Sequence, residues 1–439
     1  MAHLPSPTAP VTAWEIARIA LPATASALLN NAFRVIDQLA AGAVSTPAQA
    51  AIGSCTFVLI AAYGLHQLIA GGVGPLAARA EGAKDERLAS TVVSVALFGS
   101  LGTWVIFALI AGFGAEMVAA LLGLEGETAT QAATFLRTIG VYGLPLAVAP
   151  SLDAIFVARG QTGRMMALQV SAVLGNVVLN QVFIHHLGMG VQGAALATVL
   201  SRLPSTLLGI WLVWPAGGLR WVNDGTLRRV LNVGSPVFLN TVAYASVYFL
   251  LLRYTISPLG PEVNAALGIG FSALEGVTYP CFLGLSLAVG SVVGRRLGAG
   301  DLHEARRAPR VALPMITAIG VGAALVFWCG ARPICAPFTT DPVVLDAAVT
   351  YARALAWSQP TVAWEALAEG VLLGAGASGP ILRLSAPLNA LRVPIGWLLA
   401  FPCGMGAAGV WWAINLTSLL KALLKGWAAR RGTWAEMRI

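Results

Sequence analysis

The sequence predicts an all-α membrane protein of twelve transmembrane helices in two parallel six-helix repeats. Three observations carry this: composition, the spacing of apolar runs, and an internal duplication. Asp, Glu, Lys and Arg make up 10% of the 439 residues and apolar side chains 57%, against roughly 25% charged residues in an average soluble domain. So few charges cannot cover the surface of a soluble fold this large. The 48 Gly and 24 Pro fit a chain whose solvent is lipid, where both are commoner in helices than in water.

A span needs about 20 predominantly apolar residues. Twelve segments qualify, at approximately Trp14–Ala41, Ala50–Ala77, Leu88–Gly112, Thr128–Ala158, Met165–His185, Val191–Trp214, Val230–Ile256, Asn264–Val293, Ala308–Gly330, Leu345–Leu373, Ile381–Phe401 and Gly406–Trp427. The connections between them alternate in charge. Arg79, Lys84 and Arg87, then Arg159 and Arg164, then Arg220, Arg228 and Arg229, then Arg295, Arg296, Arg306, Arg307 and Arg310 lie on one side, while Glu116, Glu125, Glu127, Glu262 and Asp341 mark the other. This is the positive-inside pattern. Lys421, Lys425, Arg430 and Arg431 follow the last apolar run, so both termini are expected in the cytoplasm and the protein in the cytoplasmic (inner) membrane as a multi-pass chain. The Met1–Trp14 segment has no basic cluster before its first apolar run, and no cleaved targeting segment is read there.

The duplication has a displacement of 214 to 216 residues. Gly160-Gln161-Thr162-Gly163 leading to Gly188-Met189-Gly190 returns as Gly376-Ala377-Ser378-Gly379 leading to Gly404-Met405-Gly406. Gly82-Ala83-Lys84-Asp85 returns as Gly298-Ala299-Gly300-Asp301, Ala50-Ala51-Ile52-Gly53 as Ala265-Ala266-Leu267-Gly268, and Leu21-Pro22 as Ser235-Pro236. Two lobes follow, 1–220 and 221–439. Six spans per lobe is an even number, so the copies share one orientation, a plan found in secondary transporters.

The charge excess of +8 is not a nucleic-acid footprint, because the basic residues flank apolar runs and do not cluster on one face. Five cysteines stand singly with no CxxC pair, which gives neither a disulfide framework nor a metal site. The G-x-G-x-x-G matches beginning at Gly188, Gly374 and Gly404 have no strand before them, and read as turns between helices and not as a dinucleotide site. His185-His186 has no suitably spaced partner ligand. No cofactor and no enzymatic activity are expected.

Ionisable residues inside spans need a reason, since a charge at mid-bilayer costs about 2.5–3.5 kcal/mol even on insertion scales. Asp37 lies three positions after Arg34, on one helix face. The pair is either structural or a cavity-lining carboxylate able to take a proton or bind a cation. Asn176 and Asn180 share a face of the fifth span, and Thr198 belongs to the sixth. They either bond helices together or complete a site with Asp37. Asp153 sits beside Arg159 and Arg164 and reads as structurally paired. In the second half Glu275 lies mid-span and Glu365 and Glu369 one turn apart, with Arg253, Arg353 and Arg392 as span-level partners. Pro22 and Pro236, at matched positions, free backbone groups and allow bending.

Several of these residues resemble the multidrug and toxic compound extrusion (MATE) family, across essentially the whole chain. The resemblance rests on Leu21-Pro22 leading to Val35-Ile36-Asp37, on Asn176-Val177-Val178-Leu179-Asn180 leading to Gly193-Ala194-Ala195-Leu196-Ala197-Thr198, and on Gly284-Leu285-Ser286 leading to Leu297-Gly298-Ala299-Gly300-Asp301. It implies export of organic cations by alternating access, driven by inward H⁺ or Na⁺. Asp37 matches the family's first-helix acid at an N-lobe cation site, with Asn176 and Thr198 matching two further ligands. Asn180 stands where many members carry a second Asp. The lost charge weakens an oxygen-ligand site for Na⁺, so H⁺ is favoured as coupling ion. Glu275 looks like the family's eighth-helix Glu, whereas Tyr244 and Val362 replace two acids of another branch. Tyr244, Arg34, Glu275, Glu365 and Glu369 are therefore candidates for a substrate cavity. The partners implied are a small organic cation and membrane lipid, with a monomer sufficient for a complete cavity. The alternative is a flippase for lipid-linked precursors, which would need several basic side chains; Arg34, Arg202, Arg253 and Arg392 keep it open.

Overall fold

The computed structural model describes residues 10–42, 44–215, 217–219 and 224–437, and among these all regular structure is helical. Among the described residues eight helices, or nine counting the bent α4, are long and apolar enough to cross a membrane, and the helical segments that match the twelve predicted spans are, in chain order, α1 Ala13–Gly42, α2 Pro47–Ala83, α3 Glu86–Phe113, α4 Gly126–Tyr142 with Leu144–Ala158, α5 Thr162–His186, α6 Gly190–Val213, α7 Thr226–Leu259, α8 Pro261–Gly298 and α9 Leu302–Cys329. After these come α10 Pro342–Ala356 with Gln359–Gly374, α11 Ser378–Ala390 with Arg392–Ala400, and α12 Ala407–Arg431.

Local chemistry sets the helix ends. Ser45, Asp85, Asp301 and Asp341 cap the starts of α2, α3, α9 and α10, each accepting a backbone N–H in the first turn, which satisfies donors a helix start leaves unpaired. The turns read from the glycine motifs are present: Gly188 and Gly190 before α6, Gly376 before α11, and Gly404 and Gly406 before α12 have positive φ. Three spans predicted as single runs are broken. The two parts of α4 meet at Gly143 with a 57° bend, and α10 and α11 break near Trp357 and Leu391. Apolar periodicity cannot reveal such breaks, because both parts remain apolar.

The chain packs as two compact units. One joins the start of α1, as far as Thr24, to the chain from Leu239 onward; the other is Ala25–Phe238. Each boundary falls two residues beyond a helix-interior proline, Pro22 in α1 and Pro236 in α7. Within the first unit, the start of α1 lies so close to α8 that a Cβ on Gly284 would stand 2.0 Å from Thr24 Oγ1. Glu15 also pairs there with Arg296 at 3.3 Å and Arg295 at 3.6 Å. Glu304 accepts the backbone N–H of Val11. Within the second unit, α7 approaches α2 in the same manner, a Cβ on Gly72 meeting Val230 O at 2.0 Å and one on Gly234 meeting Leu68 O at 1.9 Å. Small residues let backbones close on each other where lipid supplies no hydrophobic drive.

The two halves are packed to different tightness at matched places. In the second half α8 and α10 touch backbone to backbone: a Cβ on Gly374 would meet Gly290 O at 2.2 Å, and one on Gly370 would meet Ser286 O at 2.4 Å. At the repeat displacement of 216, Gly290, Gly370 and Gly374 correspond to Gly74, Ala154 and Ala158. There a Cβ on Gly74 meets only Ala154 Cβ, at 3.8 Å.

Candidate functional site

In the N-terminal half, α1 lies on α5: Phe33 is buried with Ala172 and Val173, and Leu29 and Ile36 pack against them. The backbone of Arg34 and Asp37 belongs to this part of α1; their side chains lie outside the described residues. Asn176 and Asn180, one and two turns further along α5, are buried at 0% and 4% exposure, and Asn180 Nδ2 donates to Asn176 Oδ1 at 3.1 Å. On the adjoining α6, Thr198 is buried and its hydroxyl donates to Ala194 O at 2.9 Å. The helices meet closely there, since a Cβ on Gly175 would contact Ser201 Cβ at 3.4 Å. Asn176, Asn180 and Thr198 are thus oxygen-bearing side chains on two packed helices, as their spacing predicts. A π-helical turn, Gln181–His186, follows Asn180 directly; such turns are frequent at functional sites.

A second polar chain in this half was only partly read from sequence. Arg202 of α6 stacks on Phe33 of α1, its Cζ 4.5 Å from the ring centre. Its guanidinium donates to Asn30 Oδ1 at 2.9 Å and Gln169 Oε1 at 3.4 Å, and Gln169 Nε2 donates to Asp153 Oδ2 at 3.2 Å. Asp153 therefore reaches Arg202 through an amide and does not rely on the expected Arg159 and Arg164. A cavity of about 20 Å³ lies among Asp153, Gln169, Arg202, Ser205 and Thr206, room for about one water.

In the C-terminal half Glu275 closes a π-helical turn, Gly270–Glu275, inside α8. The Tyr351 hydroxyl donates to Glu275 Oε1, and the Tyr351 ring, fully buried, meets the Trp411 ring edge to face at 4.8 Å. Tyr244 and Tyr248 of α7 stand 4.7 Å apart, ring centre to ring centre, and Tyr248 meets Phe271 at 5.5 Å. Tyr244 and Phe271 remain 37% and 36% exposed. Arg392, 3% exposed, turns its N–H groups to hydroxyls: Nε to Thr417 Oγ1 at 2.9 Å, Nη2 to Ser418 Oγ at 3.1 Å and Nη1 to Tyr248 Oη at 3.4 Å. Aromatic faces beside a carboxylate attract organic cations, so Glu275, Tyr244, Tyr248 and Phe271 form a coherent group. Tyr351, Tyr248 and Phe271 were missed in the sequence, where an aromatic residue in an apolar span looks like core.

Glu365 and Glu369 are differently engaged. Lys425 Nζ donates to Glu365 Oε1 and Glu369 Oε2, both at 2.8 Å, and Lys421 Nζ lies 3.0 Å from Glu365 Oε1. Lys421, Lys425 and Glu365 are 6%, 1% and 8% exposed. The expectation that Lys421 and Lys425 follow the last apolar run is corrected here: both lie inside α12. Glu365 and Glu369 thus pair with these lysines and not with the expected Arg253, Arg353 or Arg392. The signal was available, because two acids four apart on one helix and two lysines four apart on another are complementary pairs.

A family model described as MatE matches residues 22–182 and 236–398. The chain belongs to the MatE family. The two matched blocks fall one in each half, in agreement with the duplication. A relative named "Probable multidrug resistance protein NorM" from Pseudomonas syringae pv. tomato is 25% identical over 92% of this chain and 91% of its own. Another of the same name from Pseudomonas aeruginosa is 28% identical over 91% and 85%. A solved structure titled "Outward-facing conformation of a multidrug resistance MATE family transporter of the MOP superfamily" superposes with a TM-score of 0.88 at 20% identity, covering 97% of this chain and 96% of that one. A second, titled "Reverse polarity of binding pocket suggests different function of a MOP superfamily transporter" and from Pyrococcus furiosus, superposes equally well at 0.88, with the same identity and coverage. These likenesses bear out the twelve-helix, two-repeat fold and the multi-pass membrane reading of this MatE chain.

Proposed function

We propose that this MatE protein exports organic cations from the cytoplasm by antiport against protons, its two halves alternating access across the inner membrane with both termini cytoplasmic. The observation that carries the substrate side is the Glu275 carboxylate, fixed by Tyr351 and set beside the rings of Tyr244, Tyr248 and Phe271. A delocalised cation gains there from the carboxylate and from the exposed rings of Tyr244 and Phe271, while the Arg392 guanidinium already stands 5.8 Å from the Tyr248 ring centre. The relatives named as multidrug resistance proteins support the same reading. On the coupling side, Asp37 stands on the helix that packs against α5, whose Asn176 and Asn180 bring neutral amides. Asn180, which stands where many members of the family carry a second Asp, removes a negative charge that would help to hold Na⁺, and this favours H⁺ as the coupling ion. A coupling ion drives transport only if it binds one conformation better than the other, and protonation of Asp37 supplies that difference.

The test is uptake of a fluorescent organic cation into proteoliposomes under imposed H⁺ or Na⁺ gradients. Transport driven by H⁺ and lost in Asp37→Asn is the expected result. Export by Asp37→Asn at the wild-type rate under a proton gradient would overturn the coupling role, and uptake under neither gradient would overturn the antiporter.

A second reading, a flippase for anionic lipid-linked precursors, is favoured by one observation. Glu365 and Glu369 are neutralised by Lys421 and Lys425, while Arg392 is buried among hydroxyls. The interior of this half is therefore less acidic than its sequence implies. Binding of a pyrophosphate-headed lipid, lost in Arg392→Met, would support this second reading.

A further inference from the structure

The structure assigns a phospholipid site to the start of α9, on an exposed face that no step of transport uses. An open groove of about 760 Å³ is lined by Leu302, His303, Arg306, Arg307, Arg310 and Val311. The charges are unequally committed. Arg307 pairs with Glu304 at 3.2 Å and Arg306 with exposed Glu436 at 3.1 Å, whereas Arg310 has no carboxylate within ion-pairing distance among the described residues. Glu304 is itself taken up by the Val11 N–H as well as by Arg307. Three guanidiniums against two engaged carboxylates leave the groove positive, the sign that complements a phosphodiester.

What turns an anion groove into a lipid site is the surface below it. Arg306 and Arg310 are followed at helical spacing by Leu313, Val321 and Leu325, which are 41%, 45% and 59% exposed. One helix face therefore runs from guanidiniums into a mainly apolar strip long enough for an acyl chain, crossed midway by Thr317, whose hydroxyl accepts from Trp364 Nε1 at 2.9 Å. We propose that this face holds the headgroup of an anionic phospholipid, such as phosphatidylglycerol, with its acyl chains along Leu313, Val321 and Leu325. The positive-inside distribution puts it in the cytoplasmic leaflet. Free phosphate would satisfy the arginines alone and leave the apolar strip without purpose.

Native mass spectrometry of the full chain from micelles doped with phosphatidylglycerol or phosphatidylcholine tests this, independently of transport. Wild type is expected to retain one phosphatidylglycerol in preference to phosphatidylcholine. Arg306→Gln with Arg310→Gln should weaken retention about 25-fold, at about 1 kcal/mol per arginine, while Arg306→Lys with Arg310→Lys keeps most of it. Arg228→Gln with Arg229→Gln, an equal charge change elsewhere on the chain, should leave retention as in wild type. Equal retention of the two lipids, equal losses in both Gln doubles, or displacement of the lipid by an equal concentration of inorganic phosphate would each overturn the proposal.

Discussion

The two halves repeat six helices and accommodate charge in opposite ways. At the displacement of 216, Asp153 of α4 corresponds to Glu369 of α10, yet Asp153 reaches its arginine through Gln169 while Glu369 is gripped directly by Lys425 at 2.8 Å. Asn176 corresponds to Arg392, a neutral amide in one half and a buried guanidinium in the other. The acids proposed to matter have no matching acid in the other half: 215 places after Asp37 stands Leu252, and 215 places before Glu275 stands Ile60. Direct pairing ties α10 to α12 in the C-terminal half, whereas the N-terminal half has an amide relay beside a small polar cavity.

That contrast can be broken by mutation. The largest effect is expected from Lys425→Met, which leaves Glu369 without its lysine and Glu365 with Lys421 alone. Removing one partner of a buried pair costs about 3–5 kcal/mol, and the melting temperature in detergent should fall sharply. Gly374→Ala comes next, at about 1–3 kcal/mol, because its Cβ would overlap Gly290 backbone atoms. Its sharpest control is Gly74→Ala, where the new methyl meets only Ala154 Cβ at 3.8 Å, and stability should hardly change. Equal losses at Gly374 and Gly74 would refute the difference in packing. Arg202→Met should cost about 1–2 kcal/mol, since it takes a donor from the amide oxygens of Asn30 and Gln169. Arg137→Gln, whose pair with Glu116 is 52% and 81% exposed, should cost under about 1 kcal/mol.

The twelve spans, the duplication and the polar faces of α5 and α6 were legible because lipid imposes length and apolarity on every span. The breaks in α4, α10 and α11 were not, since a helix can bend without changing its composition. The Glu365–Lys421–Lys425–Glu369 cluster was half legible. Its acids stand out as charges inside a span, but its lysines, near a chain end rich in arginine, read as part of the basic flank. Tyr351 was invisible, because nothing local distinguishes a tyrosine that holds a carboxylate 76 positions away from one that fills the core. The unit boundaries after Pro22 and Pro236 were hidden too, as a repeat displacement says which residues match and not which packs with which.

The central claim is a division of labour, with Asp37 in the first half coupling to protons and Glu275 in the second holding the substrate. The most direct test is proton-driven cation transport by Asp37→Asn and Glu275→Gln measured side by side. The account predicts that Glu275→Gln raises KM about tenfold, a change of about 1.4 kcal/mol, and keeps its proton dependence, while Asp37→Asn still binds the cation but no longer responds to the proton gradient. Loss of proton dependence in Glu275→Gln with Asp37→Asn still driven by protons would contradict it.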